Sequence, residues 1–250
     1  MIRVTNVSHQ IDGKGILQRL DFSVPKGELV CLVGANGAGK STLLSLIARL
    51  EPVQAGQIFV DDLDVSACDS NLLARKLAIL PQFNEVSLRL TVEELVGFGR
   101  YPYHKGRPSE EDTVRVDEAL SALDIADLRE RPLQSLSGGQ RQRALLAMTF
   151  AQDTDYVRLD EPLNNLDIGS SRRLMSQLRT LAVEHSRTVL IVLHDINYAS
   201  RYADRIFTLK SGVLGPSGRP QAVVSQGFIQ DVFDTDADVV TVDGRPVVLV

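Results

Sequence analysis

An α/β protein with a mostly parallel sheet is the fold class the sequence predicts, on two observations. Short continuous apolar runs recur: Leu29 to Val33, Leu77 to Leu80, Tyr156 to Leu159, Val189 to Leu193 and Ile206 to Leu209. Their length and their β-branched content suit strands buried on both faces, as in a parallel sheet. Helical segments lie between them, and strands that alternate with helices build parallel sheets. The composition agrees. At 250 residues, 44% apolar and 24% charged, the chain is long enough for a sizeable core and is neither disordered nor fibrous in composition.

The elements follow in order. Residues 1–28 carry alternating patterns, Ile2, Val4 and Val7, then Leu20, Phe22 and Val24, and predict short strands that end at a Lys26-Gly27 turn. After the run at Leu29 comes a glycine-rich loop and then STLLSLIARL, which has helical spacing. Residues 82–152 change character, with helical periodicity and little β signal. Candidate helices are Val92 to Gly99, Ser109 to Leu123 and Gln140 to Ala151, and Ser109 with its following acids resembles a capped start. This predicts one domain over 1–250, with a core lobe of 1–81 and 153–215, an inserted helical lobe of 82–152 and an extension of 216–250. In the extension, Gln226 to Phe233 suits a helix, and Val239 to Val242 and Val247 to Val250 flank an Asp243-Gly244 hairpin signal.

Charge and cysteine content exclude several classes. Lys plus Arg total 27 against 32 Asp plus Glu, a net charge of −5, so the basic footprint of a nucleic-acid binder is missing. Cys31 and Cys68 cannot make a disulfide framework, and a reducing cytosol is the simpler home. Cys31 reads as a core residue, Cys68 as partly exposed. No run approaches the roughly 18 apolar residues that span a bilayer. The N-terminal MIRVTNVSHQ lacks a signal-peptide pattern. The chain is expected to stay in the cytosol and to reach a membrane only through a partner. His104 and His185 read as surface residues, because no second ligand stands at metal-site spacing. Asp231, Asp234, Asp236 and Asp238 read as a solvated face.

Three motifs carry chemistry. Gly34-Ala35-Asn36-Gly37-Ala38-Gly39-Lys40-Ser41, with Thr42 next, fits G-x-x-x-x-G-K-[ST]. Glycines let the backbone wrap a phosphate chain, N–H groups point inward, and the helix N-terminus adds a positive field. Lys40 is placed to reach the β and γ phosphates, and Ser41 to put its hydroxyl on Mg2+. Next, the run from Asp155 ends a strand in Asp160 and Glu161. Asp160 suits a Mg2+ position, directly or through water, and Glu161 suits a general base for an attacking water. Arg158 is at odds with a central strand, where a charge is costly unless paired; it either pairs with an acid or reaches the sheet margin. Third, Leu136-Ser137-Gly138-Gly139-Gln140 opens a helix, with Ser137 as a candidate cap.

Taken together, with the acidic strand end 20 residues beyond LSGGQ, these motifs resemble those of the ABC-type ATPases. The resemblance covers residues 2–215 and implies a P-loop NTPase fold: a RecA-like core, an N-terminal antiparallel β subdomain and the inserted helical subdomain. It implies ATP and Mg2+ as cofactors and a head-to-tail homodimer, with Leu136, Ser137, Gly138, Gly139 and Gln140 contacting the γ-phosphate of the partner copy's nucleotide. Other positions match in order. Gln82 matches a glutamine that senses Mg2+ and water. Asn164, Asn165, Leu166 and Asp167 match a loop that crosses the dimer interface, and His194 matches a histidine that contacts the γ-phosphate. The family's adenine-stacking aromatic is replaced by Ile11, with His9 two positions earlier. Arg158 is a second departure, since that strand is normally apolar in the family.

Residues 88–107, the run around LDEPLNNLD and LHDINYASRYADRI look like those of bacterial ferric-siderophore importer ATPases. That implies a peripheral place on the cytoplasmic face of the bacterial cell membrane. It also implies permease subunits docked on the helical lobe and, indirectly, a solute-binding protein, with no nucleic acid. Importers of vitamin B12 or haem have similar ATPases, and a soluble non-transport ABC ATPase is the further alternative.

Overall fold

The structure is a computed structural model that describes residues 1–80, 90–164 and 166–249. The chain opens with β1 (Ile2–Ile11), β2 (Lys14–Val24) and β3 (Leu29–Val33), then α1 (Lys40–Ile47), β4 (Ala55–Val60), β5 (Leu63–Asp64), α2 (Ser70–Ala74) and β6 (Leu77–Leu80). A helical stretch follows: α3 (Val92–Phe98), α4 (Tyr101–His104), α5 (Glu110–Ala122) and α6 (Gly138–Ala151). The chain then runs through β7 (Tyr156–Asp160), α7 (Ile168–Glu184), β8 (Thr188–Val192), α8 (Ile196–Tyr202), β9 (Arg205–Lys210) and β10 (Val213–Leu214). It ends with α9 (Pro220–Val223), α10 (Gln226–Phe233) and the hairpin β11 (Asp238–Val242) and β12 (Arg245–Leu249).

The central sheet has the order β10-β9-β3-β8-β7-β6, parallel from β9 to β6, with β10 antiparallel at one edge. An antiparallel sheet, β2-β1-β4-β5, covers one side. Every residue of β3, β7 and β8 is buried, as continuous apolar runs require. Alternation along these strands divides the core in two. Leu29, Cys31, Val33, Val157, Leu159, Val189 and Ile191 join the side chains of α3, α5, α6, α7 and α8. Val30, Leu32, Tyr156, Leu190 and Val192 face α1 and the antiparallel sheet. Each fully buried Val, Leu or Ile contributes about 1.5–3 kcal/mol. A one-residue slip of any central strand would therefore exchange both cores at once.

Several expectations are met to within a residue or two. α6 starts at Gly138 rather than Gln140, because Ser137, three residues before Gln140, caps it: its hydroxyl accepts from Gln140 N at 3.3 Å, and Gln140 Oε1 accepts from Ser137 N at 3.0 Å. The Asp243-Gly244 turn has both residues at positive φ, 51° and 70°, as a two-residue hairpin loop demands. β4, β5 and α2 carry no clear period, and the sequence does not specify them. β4 exists because β1 offers it a ladder, with Ile2 opposite Val60 and Val4 opposite Ile58. Cys31 is fully buried, and burial pushes its thiol well up. Cys68 is half-buried, and the four tail aspartates are exposed.

The helical stretch is anchored by a buried ion pair. Arg100, 4% exposed, donates from Nε to Asp112 Oδ1 at 2.9 Å and from Nη1 to the Ala151 carbonyl at 3.0 Å. Its guanidinium lies 3.9 Å from the Tyr103 ring centroid. Asp112 also closes the capping box of α5 with Ser109. Burial alone would raise its carboxyl. The Ser109 N–H, the Ser109 hydroxyl and Arg100 outweigh that and hold it at about 2.

Arg100→Leu leaves Asp112 without its cation and is expected to cost about 3–5 kcal/mol at neutral pH, read as a drop in urea midpoint. Because the folded carboxyl sits below its ordinary value of 3.8, its contribution is full above that pH and fades as pH falls through about 2. The gap between wild type and variant should therefore narrow over that window, and a gap unchanged at pH 2 would contradict the assignment.

Candidate functional site

The loop between β3 and α1 is wedged into the protein by backbone contacts. Gly34 has φ 149°, and a Cβ there would lie 2.1 Å from the Leu209 carbonyl oxygen on β9. Gly39 has φ 99°, and its Cβ would meet Leu17 Cδ2 at 2.7 Å. Gly212 N donates to Ala38 O at 3.1 Å, tying the loop to the β9–β10 turn. Ala35, Asn36 and Gly37 are exposed at the tip. Gly39 starts α1 with no side-chain cap, so the first-turn N–H groups take no side-chain acceptor and add to the positive end of the helix.

Lys40 is 5% exposed, and its Nζ donates to Gly34 O at 2.8 Å and Ala35 O at 2.9 Å. Burial pushes its ammonium down, while Glu161 and Asp160 oppose that. Ser41 Oγ donates to Asp160 Oδ1 at 3.4 Å, joining residues 119 apart in sequence. The parallel order of the sheet makes this possible, since β3, β8 and β7 are adjacent and their C-terminal ends share one edge. Asp160 is 4% exposed, and burial pushes its carboxyl up against the opposing pull of Arg158. The question over Arg158 is resolved in favour of pairing: its Nη2 donates to Asp160 Oδ2 at 3.1 Å, on a strand flanked by β6 and β8.

Glu161 begins the turn after β7 with φ 49°, a left-handed conformation that is costly for a non-glycine residue. Its Oε1 meets His194 Nε2 at 2.5 Å, and its Oε2 accepts from Asn164 Nδ2 at 2.8 Å. Both carboxylate oxygens are thus held in place. Sequence reasoning placed Asn164 in the interface loop and missed this contact with Glu161, three residues away across the turn.

The signature residues stand elsewhere. Among the described residues no hydrogen bond or ion pair joins 136–140 to the phosphate loop of the same chain. Ser137 and Gly138 are exposed, a Cβ on Gly138 would meet nothing within 4 Å, and one on Gly139 would meet Leu166 Cδ2 at 3.6 Å. Gln142 Nε2 donates to Pro162 O at 3.2 Å, linking α6 to the turn after β7. Asp167 caps α7 through Ser170 N at 2.8 Å, and the Ser170 N–H and hydroxyl hold its carboxyl below the usual range. Gln82 and Asn165 lie outside the described residues. One expectation needs correction. His9 is 3% exposed, paired across the hairpin with Leu17, so its ring has no open face for a base; Ile11, 47% exposed, is the position left at that strand end.

The arrangement combines an N–H-lined loop with a buried cation, a pair of hard oxygen donors, and a clamped carboxylate beside an imidazole. It is the site of a nucleoside-triphosphate hydrolase. The sequence profile described as "ABC transporter" matches residues 17–164, more than half the chain, and the protein belongs to that family as an ATP-hydrolysing cassette. It is 44% identical to the petrobactin import ATP-binding protein YclP of Bacillus subtilis (strain 168) over 98% of this chain and 97% of that one. It is 45% identical to the petrobactin import ATP-binding protein FatE of Bacillus anthracis over 96% of each. Among solved structures, the dimeric post-hydrolysis state of the cassette MJ0796 bound to ADP and Pi superposes with a TM-score of 0.77 at 28% identity, covering 88% of this chain and 98% of that one.

Gly34→Ala forces a Cβ against a backbone oxygen at a φ that alanine rarely adopts. Strain of about 1–3 kcal/mol is expected, a fall in Tm of roughly 2–12 °C for a chain of this size. Nucleotide affinity should fall with it, and a variant with wild-type Tm and affinity in thermal unfolding and fluorescence titration would refute the wedge.

Proposed function

We propose that this chain is the ATPase subunit of a bacterial importer of ferric siderophores, working as a head-to-tail pair on the cytoplasmic face of a permease. The observation that carries the hydrolytic part is the Glu161 carboxylate, clamped by His194 and Asn164 at the end of the strand that also carries Asp160. Near-full-length identity to petrobactin import proteins supports the cargo class. No helix among the described residues is long and apolar enough to cross a membrane, which suits a subunit that works through permease partners. Phe98 and Tyr101, 50% and 56% exposed, lie on the helical stretch beside the buried Arg100 anchor and offer an apolar footing for such a partner.

The loop N–H groups from Gly34 to Thr42 and the Lys40 ammonium bind the β and γ phosphates of ATP, and Ile11 covers one side of the base. Ser41 Oγ and Asp160 Oδ1 are hard oxygen donors at one point, and they fit a small divalent cation. Ser41 and Asp160, with Gln82 as a further ligand implied by the motif, would hold Mg2+. When bound, the ion neutralises charge on the phosphate oxygens. Glu161 orients the attacking water and takes its proton on a carboxylate oxygen, while His194 keeps that carboxylate in line and reaches toward the γ-phosphate. The exposed N-terminus of α6, with Ser137, Gly138, Gly139 and Gln140, has no phosphate of its own chain to bind. It supplies helix-terminus N–H groups to the nucleotide of the second copy. By the motif, Asn165 and Asp167 are assigned to that contact.

Glu161→Gln removes the proton acceptor and keeps the shape. Phosphate release should fall about 10²- to 10⁴-fold while ATP affinity stays within about threefold. The variant should elute as a dimer with ATP on size exclusion. Full turnover would refute the role.

The cargo is tested by uptake in cells that carry wild-type or Lys40→Ala protein, offered ferric siderophores, haem and vitamin B12. Loss of uptake confined to a ferric siderophore is the expected result. Loss confined to haem or vitamin B12 would move the assignment to that cargo, and normal uptake of all of them would refute the importer reading.

A further inference from the structure

Arg158 is a buried charge in the central sheet that the hydrolytic scheme does not use. It is 1% exposed in the middle of β7, between Ile79 of β6 and Leu190 of β8. Its side chain shares a face with Tyr156 and Asp160, on the side where α1 packs. One of its nitrogens, Nη2, reaches Asp160 Oδ2 at 3.1 Å; the other two, Nε and Nη1, are buried and have no hydrogen-bond partner among the described residues. Stability does not account for such a group. A buried guanidinium with two unmade hydrogen bonds is costly, and an apolar side chain of similar volume commonly serves a core as well or better.

Its place accounts for it better. Asp160 has two carboxylate oxygens with different duties: Oδ2 is taken by Arg158, and Oδ1 faces the Ser41 hydroxyl at 3.4 Å. Arg158 therefore fixes the rotation of the carboxylate, so that one oxygen is presented toward the phosphate loop. Its charge also acts at short range through a poorly screened interior, where neither solvent nor salt weakens it much. A fixed positive charge behind Asp160 has two effects of opposite sense: it weakens the pull of Asp160 on a divalent cation, and it strengthens the pull of the site on a polyphosphate anion.

We propose that Arg158 is a positioning residue that holds Asp160 by Oδ2 and, through its buried charge, loosens the coupling between Mg2+ and nucleotide. The proposal rests on the ATPase reading above. The site then binds ATP with a smaller gain from Mg2+ than it would with a neutral residue at 158. ATP bound without metal is correspondingly better tolerated.

The test is the ratio of ATP affinity in Mg2+ buffer to that in EDTA, measured on the full chain by fluorescence titration with an N-methylanthraniloyl-ATP probe. Arg158→Met removes charge and hydrogen bond at similar volume, and Arg158→Gln removes the charge but keeps a donor for Oδ2. Both should raise the ratio by about tenfold, from the loss of one charge at this range. Arg158→Lys should return it to within about threefold of wild type. A purely structural role would lower Tm and weaken both affinities in parallel, leaving the ratio unmoved. A ratio within twofold of wild type in either neutral variant, with binding intact, overturns the proposal. Wild-type protein that binds no nucleotide in either buffer would instead overturn the ATPase reading beneath it.

Discussion

The close approach of the Gly34 backbone to the Leu209 carbonyl is the contact on which the site depends. It draws the loop after β3 down onto β9, and the Gly212 N–H closes the other side on Ala38 O. With the loop held from outside by main chain, its own N–H groups and the uncapped start of α1 are left for an anion. The glycines are thus not a flexible hinge. They are the shape that lets β2 and β9 crowd one loop, and the sheet order β9-β3-β8-β7 then brings Asp160 and Glu161 up beside it.

Charge is then concentrated where solvent is excluded. Lys40 at the start of α1 and Arg158 and Asp160 on β7 are each at most 5% exposed, beside strands that are otherwise apolar. Each is costly alone, and each is held by a specific partner: loop carbonyls for Lys40, Ser41 and Arg158 for Asp160. Such preorganisation lets a phosphate chain meet groups already aimed at it, which is the main resource of phosphoryl-transfer catalysis. Glu161 belongs to the same design, with its strained φ held by a turn that also fixes both of its carboxylate oxygens.

The helical stretch serves a different purpose. Three of its helices begin with reciprocal capping boxes, at Thr91, Ser109 and Ser137, so each start is set by its own side chains. At Ser137 this has a functional consequence, because the cap uses Ser137 and Gln140 on each other while Gly138 remains open. Arg100 and Asp112 lock the stretch internally, and α6 reaches the turn after β7 through Gln142. A short, direct contact therefore joins α6 to the turn after β7.

The sequence by itself determined the strand and helix types, the phosphate loop, the acidic strand end and the helix-opening signature, because these are local patterns whose period and residue chemistry need no partner to be read. Leu29 to Val33 and Gln226 to Phe233 are strand and helix just where their patterns place them. What the tertiary structure decided was which of these patterns meet. Ser41 reaches Asp160 across 119 residues and His194 reaches Glu161 across 33, contacts that exist only because parallel strands put their C-terminal ends on one edge. Tertiary packing also buried His9 and made β4 a strand by offering it the edge of β1. It settled Arg158 as well: a charge in an apolar run has no meaning in one dimension and acquires one when its partner lies two residues along the same face of a buried strand.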